Sequence, residues 1–308
     1  MSSARRAAPV MSLPSSLSRL NGDEVCIIFG RLCDTIEPGV AVALSSASHE
    51  LRKQTQTLLE QLRAEHEAAA VLCLKLGMRS CKELREATGV ESRSQNLSAA
   101  DLGTLGTLVS GLPQLGSLRL FKSAANPDGL QRLAEGLGAG ALPEMTELHL
   151  NEVHVGNAGA SALSAAVGRG ALPQLKVLSL SNATVGDAGL VALAPALRCL
   201  PELIHLALIG NPIGDEGLVA LVAPSLPTGG LKKLMQLCLG FTEVSDAGCA
   251  ALAAALNSGT LPALKKLRLT DCPASARSIV DVDEALALAK SRRRAERESR
   301  LVFYLPCR

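Results

Sequence analysis

The chain has 308 residues, of which 47% are hydrophobic and only 2% aromatic, so its core must be built from aliphatic side chains. Such a composition favours many small, repeated contacts over a single aromatic-centred core. The 31 basic and 29 acidic residues nearly cancel, which argues against nucleic acid as the main partner. No apolar run reaches the length of about 18 residues that a membrane span requires, and we expect no membrane association.

Residues 1–16 are rich in Ser and Arg and lack the apolar core of a secretory signal, which predicts a flexible leader; a transit peptide is the alternative. The nine cysteines are odd in number and include no Cys-x-x-Cys pair, so neither a disulfide framework nor a zinc site is expected. Buried free thiols are typical of a reducing compartment. We therefore expect a cytoplasmic or nuclear protein that needs no cofactor or metal.

Residues 17–96 are predicted to form a helical segment. A first amphipathic helix is predicted over 23–36 and a longer one over 48–76. A third helix is predicted to begin at Ser80, because Ser80 and Glu83 have the spacing of a capping box. The apolar stripe of the first helix consists of Val25, Ile28, Phe29 and Leu32.

Within this helical segment, residues 20–52 carry Asp-Glu-Val, Ile-Phe, Leu, Pro and Ser…Leu-Arg in the order found in an F-box, and the segment resembles that family. The resemblance implies docking of the apolar stripe on the Skp adaptor of cullin ubiquitin ligases. It departs from the family at Leu20-Asn21, where an F-box opens with Leu-Pro, and it lacks the later Trp. A plain helical cap for the following domain, which needs only an amphipathic stripe, is the alternative.

A nine-residue pattern, Leu-x-x-Leu/Met-x-x-Leu-x-Leu, recurs six times between residues 112 and 269. Its central leucines are Leu118, Leu148, Leu178, Leu206, Leu237 and Leu267, separated by 30, 30, 28, 31 and 30 residues. Alternation of Leu with other residues predicts a strand whose leucines point into a core. A near-constant spacing of this kind indicates a repeat protein.

A second recurrent block, typified by Val-Gly-Asp-Ala-Gly-Leu, follows each of four of these strands and leads into an Ala- and Leu-rich stretch with helical periodicity. Its Asn or Asp is predicted to be the N-cap of the helix, accepting the first free backbone N–H groups. The four residues concerned are Asn157, Asp187, Asp215 and Asp246. Each repeat is therefore a strand followed by a helix.

These patterns resemble the leucine-rich repeat family, specifically its long, ribonuclease-inhibitor-like class. The resemblance implies an α/β solenoid, a curved horseshoe with parallel strands on the concave face and helices on the convex face. We place this domain at 97–280, with six strand–helix repeats after a degenerate first repeat whose helix spans 98–110. The family's turn asparagine is kept at Asn211 only, which predicts less rigid turns elsewhere.

Residues 281–308 are predicted to be a basic helical tail that contains Lys290, Arg292, Arg293, Arg294, Arg297 and Arg300. A nuclear localisation signal is one interpretation of this cluster. The other is a solvated helix terminus, because cations are favoured at the negative end of the helix dipole.

No catalytic signature is found in the sequence. The sequence predicts a non-catalytic, monomeric scaffold that binds a protein partner on the concave face. The expected contact residues, which alternate with the core leucines, are Arg119, Phe121, Glu147, His149, Asn151, Ser179, His205, Ile209, Gln236, Lys266 and Arg268. The alternatives are a substrate receptor of a Skp-cullin-F-box ubiquitin ligase and, by the likeness of the repeat architecture, a Ran-type GTPase-activating protein.

Overall fold

A computed structural model describes residues 25, 28–29, 34–47, 49–92, 97–122, 127–223 and 231–302. The predicted leader 1–16 and Leu32 lie outside these residues. The chain forms two compact units, one extending through Val71 and the other beginning at Leu72. The domain limits predicted from the sequence, 17–96 and 97–280, remain predictions.

The first unit is helical where it is described. It contains α1 (Gly39–Ser46) and most of α2 (His49–Lys75). Phe29, Ala41, Leu59 and Leu62 form a buried apolar cluster in it. The long predicted helix is confirmed, since α2 covers almost the same residues. The first predicted helix ends before residue 36. There the Asp34 carboxylate accepts hydrogen bonds from the backbone N–H groups of Ile36 and Glu37.

The second unit alternates strands and helices. Its strands are β1 (Gly89–Ser92), β2 (Ser117–Phe121), β3 (Glu147–Asn151), β4 (Val177–Ser179), β5 (His205–Ala207), β6 (Gln236–Cys238) and β7 (Lys266–Arg268). Its helices after α2 are α3 (Cys81–Glu86), α4 (Ala99–Leu108), α5 (Pro127–Gly136), α6 (Gly156–Gly168), α7 (Asp187–Cys199), α8 (Asp215–Val222), α9 (Asp246–Ser258) and α10 (Ala276–Val302).

The described strands form one parallel seven-stranded sheet in chain order, β1 to β7. The register pairs Leu118, Leu148, Leu178, Leu206, Leu237 and Leu267 across the sheet. These leucines, all of them buried except the half-buried Leu267, and the apolar faces of the helices form the core, as in the predicted α/β leucine-rich-repeat solenoid. The predicted fold class is confirmed.

The strand β1 was not among the predicted elements, because Gly-Val-Glu-Ser lacks the Leu-x-Leu pattern. It pairs Val90 with Leu118 and Glu91 with Arg119. Val90 is buried at the position that leucine occupies in the later strands. Together with α4, which begins with a capping box between Ser98 and Asp101, β1 completes the degenerate first repeat.

The recurrent Asn and Asp residues were predicted to be the N-caps of their own helices, and this prediction is wrong. The N-caps of α7, α8 and α9 are Gly186, Gly214 and Ser245. The Oδ1 atom of Asp187 accepts hydrogen bonds from the backbone N–H groups of Gly214 (2.7 Å) and Gly217 in the next repeat. Asn157, Asp215 and Asp246 also accept backbone N–H groups 29 to 33 residues further on. We call these four residues the capping ladder, because each caps the following helix.

One residue in the turn after each of the strands β2 to β7 has a left-handed backbone conformation. These residues are Lys122, Glu152, Asn182, Gly210, Phe241 and Asp271. Five of them, all but Asp271, donate their N–H to a carbonyl of the next repeat, as Phe241 does to Thr270 at 2.8 Å. Neighbouring repeats are thus joined along their turns as well as along their strands.

The buried turn residue Asn211 joins two repeats through its amide. Its Oδ1 accepts the N–H groups of Ala183 and Val185, and its Nδ2 donates to the carbonyls of Leu180 and Leu208. At the equivalent positions Thr242 and Cys272 donate to the carbonyl of Leu239. These two turns therefore retain a hydrogen bond from a side chain to a backbone carbonyl. The sequence pattern alone did not predict this bond.

The predicted basic helix is present as α10, which begins at Ala276. Among its residues of described burial, Val282, Ala285 and Leu286 are buried, and the helix packs on α9. Arg292 donates to the carbonyl of Asn257 at 3.0 Å, and Arg293 donates to those of Pro262 and Leu264. Part of the arginine cluster is therefore used to bind the end of the last repeat.

Candidate protein-binding surface

The side chains that alternate with the buried leucines line one side of the sheet, which we call the sheet face. One row across it runs Ser117, Glu147, Val177, His205, Gln236 and Lys266. The next row runs Glu91, Arg119, His149, Ser179, Ala207, Cys238 and Arg268. The register thus brings the predicted contact residues of all the strands β2 to β7 onto one surface.

Charged groups cluster on β1, β2 and β3. The Arg119 guanidinium donates to the Glu147 carboxylate at 2.5 Å and lies 3.8 Å from that of Glu91. His149 Nε2 lies 3.7 Å from the same Glu147 oxygen. Burial favours the protonated carboxyl, but the hydrogen bond from Arg119 is the largest effect and lowers the pKa of Glu147. This end of the sheet face is an ionised network that a partner can contact.

The centre of the sheet face is less accessible than predicted. Ser179 is only 5% exposed and donates to Asn151 Oδ1 at 2.6 Å. The same oxygen accepts the backbone N–H of Ser181. Ser179 therefore positions Asn151 and offers little surface of its own. Ala207 and Cys238 in the same row are also buried.

Two half-buried histidines flank this centre. Burial, and then the positive charge of Arg119, lowers the pKa of His149 from its ordinary 6.5, against the opposing effect of Glu147. Burial, and then the charge of Arg268, lowers the pKa of His205 as well. His205 Nε2 lies 3.8 Å from Cys238 Sγ. Both shifts favour the neutral imidazole, which can donate or accept a hydrogen bond.

The opposite end of the sheet face is basic. Lys266 and Arg268 on β7 are exposed, and Gln236 on β6 is half-buried beside Lys266. The sheet face thus runs from an ionised network containing two carboxylates to two exposed cations. A partner would meet different charges at its two ends.

Two short stretches of the second unit match a known family. Residues 172–194, which hold β4 and the start of α7, match the model described as Leucine Rich repeat, and so do residues 201–222, which hold β5 and α8. The chain carries leucine-rich repeats. A similar solved structure, "Leiomodin-1 Actin-Binding Site 2 (ABS2)", has a TM-score of 0.43 and 19% identity, covering 58% of this chain and 97% of that chain. No curated protein matches the sequence.

Three apolar residues on the leucine-rich repeats differ in exposure. Phe121 and Ile209, which were predicted to contact a partner, are half-buried. Phe241 was not predicted, yet it is 61% exposed and has a left-handed backbone with φ of 56°. The signal available in the sequence was its position two residues after the last leucine of a repeat, where the other described repeats carry polar residues or Gly.

The apolar stripe predicted to dock an adaptor is only partly accessible. Val25 and Phe29 are buried, and Ile28 is half-buried. Phe29 packs in the core of the first unit with Ala41 and Leu59. Of the described members of the stripe, Ile28 therefore presents the most surface.

The described part of the chain contains neither a candidate metal site nor a candidate membrane span. Within it, no group of three or more His, Cys, Asp or Glu side chains is arranged to hold a metal ion. No helix in this part of the chain combines the length and the apolar content needed to cross a bilayer. Among the described cysteines, Cys73, Cys81, Cys238 and Cys249 are buried free thiols, whereas Cys199 is exposed.

Proposed function

We propose that the leucine-rich repeats form a non-catalytic scaffold that binds a protein partner on the sheet face. The observation that carries this proposal is the placement of polar and charged side chains from adjacent strands on one surface. The interior strands use their backbone groups to pair with each other, so a ligand on this face must be recognised by side chains. Surfaces of this kind on solenoid proteins bind extended partner surfaces.

The finer class that we infer is the ribonuclease-inhibitor-like one. The 28 to 31 residues between strand leucines support it, because this length accommodates a full α-helix in each repeat. Helices of 13 residues in α6, α7 and α9 agree with it.

The binding residues that we propose are those predicted from the sequence, with Ser179 acting through Asn151. Arg119, Glu147 and His149 supply hydrogen bonds and charge at one end. His205 and Gln236 supply hydrogen-bonding groups in the middle, and Lys266 and Arg268 supply positive charge at the other end. Because these contacts are polar and distributed, we expect the partner to be selected by charge complementarity.

The test compares affinity purification from cells of the wild type with that of an Arg119→Ser/His149→Ala/His205→Ala variant. The control matches this change in net charge and alters three exposed residues outside the sheet face, Glu135→Ser/Lys176→Ser/Lys232→Ser. We expect at least one partner to be retained by the wild type and the control and lost by the sheet-face variant. Identical sets of partners for all three proteins would contradict the proposal.

Two narrower functions remain predictions: adaptor docking in a ubiquitin ligase and activation of a Ran-type GTPase. The first requires co-purification with the Skp adaptor that Ile28→Asp abolishes. The second requires accelerated GTP hydrolysis when the protein is added to a candidate GTPase. A nuclear role of the arginine cluster also remains a prediction, to be tested by the location of an Arg294→Ser/Arg297→Ser variant in cells.

A further inference from the structure

The strand β7 ends the sheet in the described part of the chain. The helical layer continues past it, because α10 packs on α9 through Val282, Ala285 and Leu286. Among the described residues, no further strand lies beside β7. Leu267 is accordingly half-buried, whereas Leu237, its equivalent on β6, is completely buried. The side of β7 that faces away from β6 is therefore an open edge.

The open edge carries backbone N–H groups that have no acceptor within the described residues, whereas the equivalent groups of the inner strands are hydrogen-bonded. On β6 and its turn, the N–H groups of Leu239 and Phe241 each donate to β7 or its turn at 2.8 Å. The equivalent groups in the last repeat are the N–H groups of Leu269 and Asp271, and no described residue accepts them. Unpaired groups in a row of this kind are a template for one more strand.

The edge is also strongly charged. Lys265, Lys266 and Arg268 are all exposed, and none of them forms an ion pair within the described residues. One carboxylate, that of Asp271, lies at the far end of the edge. Edge cations discourage pairing with neutral or basic strands. They favour an acidic strand, because opposite charges on neighbouring strands attract.

We propose that the β7 edge binds an extended acidic segment of a partner protein as an eighth strand. A second copy of the chain paired edge to edge through β7 would bring Lys266 and Arg268 of both copies together, which is unfavourable. The proposal goes beyond binding on the sheet face, because the added strand is held by main-chain groups of residues 265–271. Carboxylates on alternate residues of the segment meet Lys266 and Arg268.

The test uses a fluorescein-labelled peptide, acetyl-Val-Glu-Val-Glu-Val-Glu-Val-amide, and measures its binding to the full chain by fluorescence anisotropy. We expect saturable binding that falls at least tenfold for Lys266→Glu/Arg268→Glu. The control, Lys53→Glu/Lys176→Glu, has the same net charge and changes two other exposed lysines, so it should bind like the wild type. The Arg119→Ser/His149→Ala/His205→Ala variant should also bind normally, which separates this site from the sheet face.

Main-chain pairing is tested with two N-methylated versions of the peptide, one methylated at the inner Val residues and the other at the Glu residues. Because alternate residues of a strand face its neighbour, one version should lose binding and the other should keep it. Hydrogen exchange at the amides of Leu269 and Asp271 should slow when the unmodified peptide binds. Equal binding of both methylated peptides, no binding of the parent peptide, or a β7-dependent dimer without peptide would overturn the proposal.

Discussion

In three repeats a glycine follows an Asp-Ala or Asp-Glu pair, at Gly189, Gly217 and Gly248, and the capping ladder explains it. A Cβ atom on Gly189 would lie 2.6 Å from Asn157 Oδ1, and one on Gly217 would lie 2.6 Å from Asp187 Oδ1. Both distances are too short for a carbon and an oxygen that are not bonded. Glycine is therefore required at these positions because the carboxylate or amide of the preceding repeat leaves no room for a Cβ atom. The helical backbone of the glycine would itself accept any residue.

We expect Gly217→Ala to destabilise the protein by about 2 kcal/mol, although alanine is the better helix former, because the new methyl group displaces Asp187 from the helix N-terminus. Gly168→Ala is the control, since a Cβ atom there meets nothing within 4 Å. Urea denaturation followed by circular dichroism measures both. An unfolding free energy of Gly217→Ala equal to that of the wild type would show that the ladder tolerates a side chain at this position.

Polar side chains also fix the packing of one helix on the next. The carboxylate of Asp215 accepts the N–H groups of Ser245 (2.9 Å) and Gly248 (2.9 Å) at the start of α9. Burial raises the pKa of Asp215, but the hydrogen bonds from Ser245 and Gly248 together outweigh burial and lower that pKa below its ordinary 3.8. The carboxylate also meets the positive end of the α9 dipole, which favours the ionised form.

The lowered pKa predicts an acid-sensitive ladder. A carboxyl with a lowered pKa in the folded state stabilises the protein above its unfolded-state pKa, and this contribution is lost as pH falls through the folded-state pKa. The free energy of unfolding should therefore decrease as pH falls below about 4. The free energy of unfolding of Asp215→Asn should decrease less steeply with falling pH. An amide can accept the same N–H groups, as Asn157 does, and it does not titrate.

Urea denaturation of both proteins between pH 7 and pH 3 measures this difference. The wild type and Asp215→Asn should be close in stability at pH 7 and should differ in slope at the acidic end. Asp187→Asn serves as a second member of the ladder. Parallel pH profiles for the wild type and Asp215→Asn would show that the carboxylate gains nothing from the α9 terminus.

At the scale of the second unit, stability is shared between neighbouring repeats, because α7 packs on α6 and α8 and each strand pairs with the strands beside it. An array of this kind depends on its end elements, since the last repeat would otherwise expose the apolar face of its helix. The helix α10 covers α9, and Arg292 and Arg293 bind backbone carbonyls of the last repeat.

We expect Leu286→Asp to detach α10 from α9 and to lower the unfolding free energy by about 3 kcal/mol, because it places a charge where the side chain is only 5% exposed. Leu288→Asp lies on the same helix at 46% exposure and should be nearly neutral. Thermal denaturation gives the stability, and hydrogen exchange of α9 shows whether the loss begins there. Equal effects of the two substitutions would mean that α10 does not stabilise the array.

The sequence by itself determined the repeats. The Leu-x-Leu pattern and the helical periodicity are local signals, because each depends on residues within one strand or one helix. They correctly placed the strand leucines in the core and predicted α2, α4 and α10. The sheet-face residues followed from the same alternation, since opposite sides of a strand are fixed by the geometry of the backbone.

Only the tertiary structure decided features that join residues about 30 positions apart. The strand β1 lacks the leucine pattern, and it is stabilised by pairing with β2. The oxygens of the capping ladder lie on one helix and bind the next, so a local rule assigned them to the wrong helix. Ser179 is buried and Phe241 is exposed because neighbouring strands and turns, and not their own segments, determine how much of each side chain meets water.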